Sequence, residues 1–178
     1  LARRLRSEGF DVDVTREPGG TDIGEGIRTI LLERRELHDV KPRVQALLMS
    51  GARAQNVDQR IRPHLERHGI VLCDRFAAST TAYQGGGFRL KRADLQALNE
   101  FAIAGVEPDL YVLLDIDARL GLERGMRLRA KDWEKARALR WDLPKFHRRI
   151  RKTYLELARS NQEQWLVVDA TRTPDEIE

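Results

Sequence analysis

Apolar positions along this chain follow two spacings that alternate from one end to the other. Residues 10–15 (Phe-Asp-Val-Asp-Val-Thr) switch apolar and polar with period two, the pattern of a half-buried strand. Residues 22–36 then carry Ile23, Ile27, Ile30 and Leu31 at helical spacing. A longer helical pattern covers 43–68, with Val44, Leu47, Leu48, Val57, Ile61 and Leu65 on one side. Pro63 is expected to bend it and Gly69 to end it. Ile70-Val71-Leu72-Cys73 is a short apolar run suited to a buried parallel strand. A helix over 92–104 closes at Gly105, a third strand spans 109–115, helices follow at 118–130 and 144–163, and Trp165 to Val168 forms a fourth strand.

Strands separated by helices of a dozen or more residues predict an α/β protein, a parallel sheet with helices on both faces. No repeat, linker or low-complexity stretch interrupts the pattern, so residues 1–178 are expected to form a single domain. The opening residues, Leu-Ala-Arg-Arg-Leu-Arg-Ser-Glu-Gly, read as the end of an amphipathic helix stopped by Gly9, with no N-cap ahead of it and no initiator Met. That predicts a truncated chain whose first strand is absent.

Composition narrows the class. With 41% hydrophobic and 34% charged residues in 178, the chain has material for a core under a highly charged surface, which excludes collagen-like and mainly disordered proteins. No apolar stretch is long enough to span a bilayer, and nothing at the start resembles a targeting peptide. One cysteine, Cys73, forms no internal disulfide and suggests a reducing, cytoplasmic compartment. Lys and Arg number 32 against 28 acids, a net charge of +4 that suits polyanionic small molecules as well as DNA. The basic residues are spread over every helix without an aromatic-interleaved patch, which argues against a nucleic-acid partner.

Ligands of open parallel sheets bind beyond the carboxyl ends of the strands. There the chain places Arg16-Glu17-Pro18-Gly19-Gly20-Thr21, Asp74-Arg75, Asp115 with Asp117, and Asp169. Polar residues often do no more than end a strand, but Gly-rich loops at 19–20 and 85–87 add places where backbone can approach a ligand. Arg75 stands where a guanidinium could grip a phosphate with two hydrogen bonds. Asp74 resembles a carboxylate that holds Mg2+ through water, although a capping or salt-bridged aspartate fits equally. Met49, Arg53 and Asn56, at i, i+4 and i+7, form a stripe beside the core face; they suit a nucleobase platform, or a filler Met beside a solvated Arg.

The stretch Thr15-Arg16-Glu17-Pro18-Gly19-Gly20-Thr21, followed by Asp74-Arg75-Phe76-Ala77-Ala78-Ser79-Thr80-Thr81-Ala82-Tyr83-Gln84-Gly85-Gly86-Gly87, closely resembles bacterial thymidylate kinases. Pro108-Asp109-Leu110, Leu113 to Asp117, Gly121 to Arg124, Phe146-His147 through Ala158, and Val168-Asp169-Ala170 agree in order and spacing, so the likeness covers nearly the whole chain. It implies a P-loop nucleoside-monophosphate-kinase fold, ATP-dependent phosphorylation of dTMP to dTDP with Mg2+, and a homodimer. By position, Arg75 and Arg28 would hold the dTMP phosphate and Asp74 would sit by the metal. Arg53 would meet the thymine edge with Thr80 and Met49 nearby. Tyr83 would crowd the sugar 2′ position beside Ser79, and Glu17-Pro18 would wall the nucleoside. Arg124, Asp169 and Ala170 would line the adenine site. A lid over about 124–143 would carry Arg127 as the catalytic arginine, with Arg129 the other candidate; an exposed basic helix is the alternative for that segment.

The chain departs from the family pattern in four places. None of its six lysines follows a glycine, so the phosphate loop G-x-x-x-x-G-K-[ST] is not among its residues. In the family that loop lies about 20–30 residues before the position of Leu1, in the first βα unit. The last family helix also finds no counterpart, and the 178 residues alone are expected to be at most feebly active. Met49 stands where the family usually has an aromatic residue, and Ala138 to Pro144 replaces an Asp-Arg-Phe-Glu-like signature. The competing functional expectations are a non-catalytic nucleotide-binding or regulatory module and a related nucleoside monophosphate kinase.

Overall fold

The computed structural model of the chain describes residues 1–33, 40–128 and 143–177. Its contacts divide into two compact units, Leu1–Glu107 and Pro108–Glu178. Each unit is built on a pair of parallel strands, the pairing that the strand–helix alternation predicts.

In the first unit, helix α1 (Ala2–Ser7) leads into strand β1 (Val12–Arg16), which pairs with β2 (Ile70–Asp74) so that Val12 lies beside Ile70 and Arg16 beside Asp74. Between the strands, α2 (Asp22–Arg28) starts at Thr21, whose hydroxyl accepts the Gly24 N–H at 3.0 Å, an N-cap of the residue type that favours helix starts. A π-helical turn, Thr29–Glu33, extends it. Helix α3 (Pro42–Asn56) begins with Pro42 in its first turn and passes through a second π-helical turn, Val57–Ile61, into α4 (Arg62–Leu65). After β2 come α5 (Ala77–Thr80), a third π-helical turn (Thr81–Gly87) and α6 (Arg92–Ile103). The core of this unit is Val12, Ala46, Ala52, Val57, Ile61, Phe76, Ala82, Leu95, Ala102 and Ile103.

The second unit pairs β3 (Tyr111–Asp115) with β4 (Trp165–Asp169), Tyr111 beside Trp165 and Asp115 beside Asp169. That register stacks the Tyr111 and Trp165 rings, with centroids 4.5 Å apart, and Tyr154 closes on Trp165 from the side. Helix α7 (Ala118–Leu128) follows β3, α8 (Leu143–Ser160) precedes β4, and a short α9 (Pro174–Ile177) ends the described chain. Helix α8 buries Phe146, Ile150 and Ala158, one helical stripe, as its sequence period requires.

Three expectations about the first unit change. The long helix over 43–68 is a composite, and its departure from α geometry lies at the π-helical turn just before Pro63, whose ring then falls in the first turn of α4 where a missing N–H is tolerated. Its apolar side is only partly its buried side: Val57 and Ile61 are buried and Leu48 half-buried, but Val44, Leu47 and Leu65 are exposed, whereas Ala46, Ser50, Ala52, Arg53 and Asn56 are buried. The inward stripe packs against polar groups of the loop after β1 and of α6, so hydrogen-bonding side chains replace aliphatic ones there. Gly85 to Gly87 form part of a π-helical turn rather than a loop. Gly69 follows the helix as expected, but the left-handed residue is His68 (φ 60); a side chain at 69 would run into the His64 ring.

In the second unit Arg151 from α8 grips Asp115 with two hydrogen bonds, Nε to Oδ1 at 2.7 Å and Nη2 to Oδ2 at 2.9 Å. Those bonds hold the Asp115 carboxyl below the usual aspartate range, outweighing its partial burial. A carboxyl whose pKa is lowered on folding stabilises the fold fully above its unfolded value of about 4, and that contribution is lost as pH falls through the lowered value. Asp115→Asn is therefore expected to flatten the decline in stability below about pH 4, measured as urea midpoints from pH 7 down to pH 3, while lowering stability at neutral pH.

Candidate active site

The carboxyl end of β1 runs into a tight loop that α3 holds from below. Gly20 takes a left-handed φ of 80°, and a Cβ there would collide with Thr15 Oγ1 and Asn56 Oδ1, so only glycine lets the loop fold back this closely. Three residues at helical spacing, Arg53, Asn56 and Arg60, face that loop in sequence. Arg60 donates to Asp13 Oδ1 at 2.6 Å, to the Val14 carbonyl at 3.2 Å and to the Gly20 carbonyl at 2.8 Å. Asn56 Oδ1 accepts the Thr15 hydroxyl at 2.9 Å. Arg53 Nε donates to Glu17 Oε2 at 2.7 Å.

Arg53 and Glu17 are fully buried, so the solvated-arginine alternative for Arg53 does not hold. Besides Glu17, Arg53 donates to Asn99 Oδ1 on α6 at 3.0 Å and to Thr80 Oγ1 on α5 at 3.1 Å, which commits three of its five N–H groups. Its guanidinium also lies 5.4 Å from the centre of the Phe76 ring. Burial raises the Glu17 pKa, and the Arg53 charge and hydrogen bond oppose that rise. Met49 stands one turn before Arg53, half-buried, and Ser79 is buried beside Thr80 on α5.

Around this buried hub lie the accessible groups. The Glu17–Pro18 peptide is cis, and the Pro18 carbonyl accepts Arg28 Nη1 from α2 at 2.9 Å. Glu25 accepts the Gly20 N–H and Arg16, which fastens the loop to α2. Asp74 and Arg75, at the end of β2, are exposed. Arg75 has a left-handed φ of 70°, and its guanidinium sits 4.8 Å from the Tyr83 ring centre while Nη2 donates to the Tyr83 hydroxyl at 3.1 Å. Burial pushes the Cys73 thiol pKa far up, and its Sγ donates to the Arg75 carbonyl. Among the described residues no group of three or more His, Cys, Asp or Glu side chains is placed to hold a metal ion.

The second unit brings together its own predicted residues. Arg124 from α7 donates to the carbonyls of Ala170 at 2.6 Å and Thr171 at 2.9 Å, just beyond β4. Asp169 accepts the Thr171 N–H and hydroxyl, which lower its pKa. The Arg127 side chain and residues 129–142, hence most of the expected lid and Arg129, lie outside the described residues.

Two residues of this arrangement stand outside the sequence motifs. Arg60 continues the spacing of Arg53 and Asn56, and that period is the signal that points to it. Asn99 carries a subtler signal, a polar residue in the buried stripe Leu95-Asn99-Ala102 of α6.

Parallel strands joined through helices, with guanidinium groups gathered at the strand ends, define an α/β protein suited to phosphorylated ligands. The thymidylate kinase family model matches residues 1–178. A protein named thymidylate kinase from Deinococcus radiodurans is 44% identical over 178 residues, covering 100% of this chain and 83% of that protein. One of the same name from Thermomicrobium roseum is 45% identical over 177 residues, covering 99% and 81%, and one from Pelobacter propionicus is 41% identical over 179 residues, again 99% and 81%. The chain belongs to the thymidylate kinase family, and its fold class is that of the P-loop nucleoside monophosphate kinases.

Replacing Arg53 by Met would leave the Glu17 carboxylate buried without its counter-charge, a loss of about 3–5 kcal/mol. Without Arg53 the Glu17 pKa rises further, so the destabilisation should be larger at pH 8 than at pH 5 in urea unfolding. Adding Glu17→Leu to Arg53→Met should recover part of the loss; a double variant less stable than Arg53→Met would contradict a paired-charge role.

Proposed function

We propose that the protein transfers the γ-phosphoryl group of ATP to dTMP, giving dTDP and ADP. The observation that carries this reading is the match of the whole chain to thymidylate kinases. The exposed Arg75, set over the half-buried Tyr83 ring at the end of β2, supports it chemically, and the neighbouring Asp74 carbonyl accepts the Glu17 N–H at 2.9 Å. A phosphate oxygen of dTMP attacks the γ-phosphorus, a P–O bond forms, and the bond to the β-phosphate oxygen breaks with ADP as leaving group. Such a reaction mostly requires two anionic nucleotides held in line with their charge neutralised.

Arg75 and Arg28 are assigned to the dTMP phosphate. Tyr83, stacked under Arg75, crowds the 2′ position and favours deoxyribose, with Ser79 in the same pocket. Glu17 and Pro18 wall the nucleoside. Arg53 is assigned to the thymine edge, with Met49 packing on the base; its guanidinium is closed to solvent in this structure, so that contact requires the pocket to open. Arg124, Asp169 and Ala170 are assigned to the adenine side, and Arg127 to the transferring phosphoryl. Mg2+ keeps several waters and takes ligands from phosphates and one or two carboxylates, so a single exposed carboxylate such as Asp74 fits it. When bound, the metal would neutralise phosphate charge.

A homodimer is part of the same reading. It is supported by the apolar residues left exposed on the first unit, among them Val44 and Leu47 on α3 and Phe101 on α6, the last 84% exposed. A cytoplasmic setting fits the single, half-buried free thiol. Among the described residues no helix is long and apolar enough to cross a membrane. A non-catalytic dTMP-binding module is the alternative that an ADP-release assay separates from this one.

The protein as encoded by its gene should release ADP when given ATP, Mg2+ and dTMP. Arg75→Ala should lower kcat/KM for dTMP about 100-fold through loss of a charge-assisted phosphate grip, with the KM for ATP little changed. Binding of dTMP without ADP release would favour the non-catalytic module. Turnover of a different monophosphate in preference to dTMP would replace the substrate assignment.

A further inference from the structure

We infer that Asn99, on α6, is a positioning residue of the monophosphate pocket, locking Arg53 to the helix that follows Asp74 and Arg75. The inference rests on the dTMP reading above. Asn99 is buried and uses both ends of its amide. Oδ1 accepts Arg53 Nη1 at 3.0 Å, while Nδ2 donates to the Ala77 carbonyl at 3.2 Å and to Thr81 Oγ1 at 3.3 Å. The partners fix which end is which, because a guanidinium only donates and a carbonyl only accepts. An aliphatic residue makes neither contact, an ionised carboxylate only the first, and a lysine or arginine only the second.

The position is otherwise unsuited to asparagine. It lies in the interior of α6, where asparagine is a poor helix former, and in a stripe whose other members, Leu95, Ala102 and Ile103, are apolar. What the amide gains is a link between two segments far apart in sequence. On one side, Arg53 holds Glu17 and so the loop whose Pro18 carbonyl takes Arg28. On the other, Ala77 opens α5 immediately after Phe76, two residues from Arg75, and its carbonyl also accepts the Thr81 N–H that closes that helix. Asn99 thus stands between the two segments carrying the arginines assigned to the phosphate. Its hydrogen bonds go to neither of those arginines, so its effect on the pocket passes through Arg53 and α5.

The test uses the protein as encoded by its gene, with dTMP affinity from calorimetry and KM and kcat from ADP release. Asn99→Leu should raise the dTMP Kd and KM about tenfold, leave kcat within about threefold and leave the ATP KM unchanged. Asn99→Ser, which cannot reach Arg53, should do the same and serves if the Leu variant fails to fold. Leu95→Ala, on the same helix and buried but unable to hydrogen-bond to Arg53 through its side chain, should lower the melting temperature yet leave the dTMP KM unchanged. In an Arg53→Lys background, Asn99→Leu should add little further loss of dTMP affinity. A dTMP KM within about twofold of wild type in both Asn99 variants, an equal rise in Leu95→Ala, or full additivity with Arg53→Lys would overturn the positioning role while leaving the dTMP reading intact. A wild-type protein that neither binds nor phosphorylates dTMP would overturn both.

Discussion

The first unit depends on one contact, the Arg53 guanidinium against the Glu17 carboxylate, with neither group reaching solvent. Moving two charges out of water is costly, and their attraction offsets that only when geometry and further hydrogen bonds are good. Here the further bonds are supplied by Asn99 and Thr80. Such a pair adds little net stability over an apolar replacement of equal shape, but it admits few alternative arrangements. Any packing that slides α3, α5, α6 or the loop after β1 leaves a buried charge alone. The pair therefore acts as a register for four segments. It also accounts for α3 turning small and polar residues inward and carrying Val44 and Leu47 on its outside.

The second unit uses arginine differently. Arg151 and Arg124 are not sealed away; one grips a carboxylate at the end of β3 and the other two carbonyls beyond β4. Half-exposed pairs are screened and weaker than their distances suggest. Their effect is local, fixing the ends of parallel strands whose last residues, Asp115 and Asp169, lie side by side and repel. The two units thus show the same side chain in two dielectric settings, one enforcing a fold and one trimming its edges.

Much of this was legible in the residues. Strands were visible because period-two alternation and short apolar runs seldom arise in other elements. The two long motifs, Thr15 to Thr21 and Asp74 to Gly87, coincide with the loop after β1 and the turn after β2. The partnerships of the buried residues were not legible. Arg53 reaches Glu17, Thr80 and Asn99 across 36, 27 and 46 residues of chain, separations that no local pattern encodes. Periodicity assumes that the apolar face is the buried one, and α3 breaks that assumption because its inward neighbours are hydrogen-bonding groups. The π-helical turns were invisible for a related reason: one extra residue per turn shifts the phase of a pattern without erasing it.

Arg75 sits at φ 70°, a left-handed backbone that a side chain with a Cβ occupies only against a steric penalty. The turn it makes is what swings the chain from the end of β2 into α5 and lays the guanidinium over Tyr83. Glycine would make that turn more easily, by roughly 1 kcal/mol. Glycine would also give up the guanidinium's place over the Tyr83 ring and its hydrogen bond to the Tyr83 hydroxyl. An arginine at this torsion marks position 75 as a place where the chain trades ease of folding for a charge held at a fixed point in space.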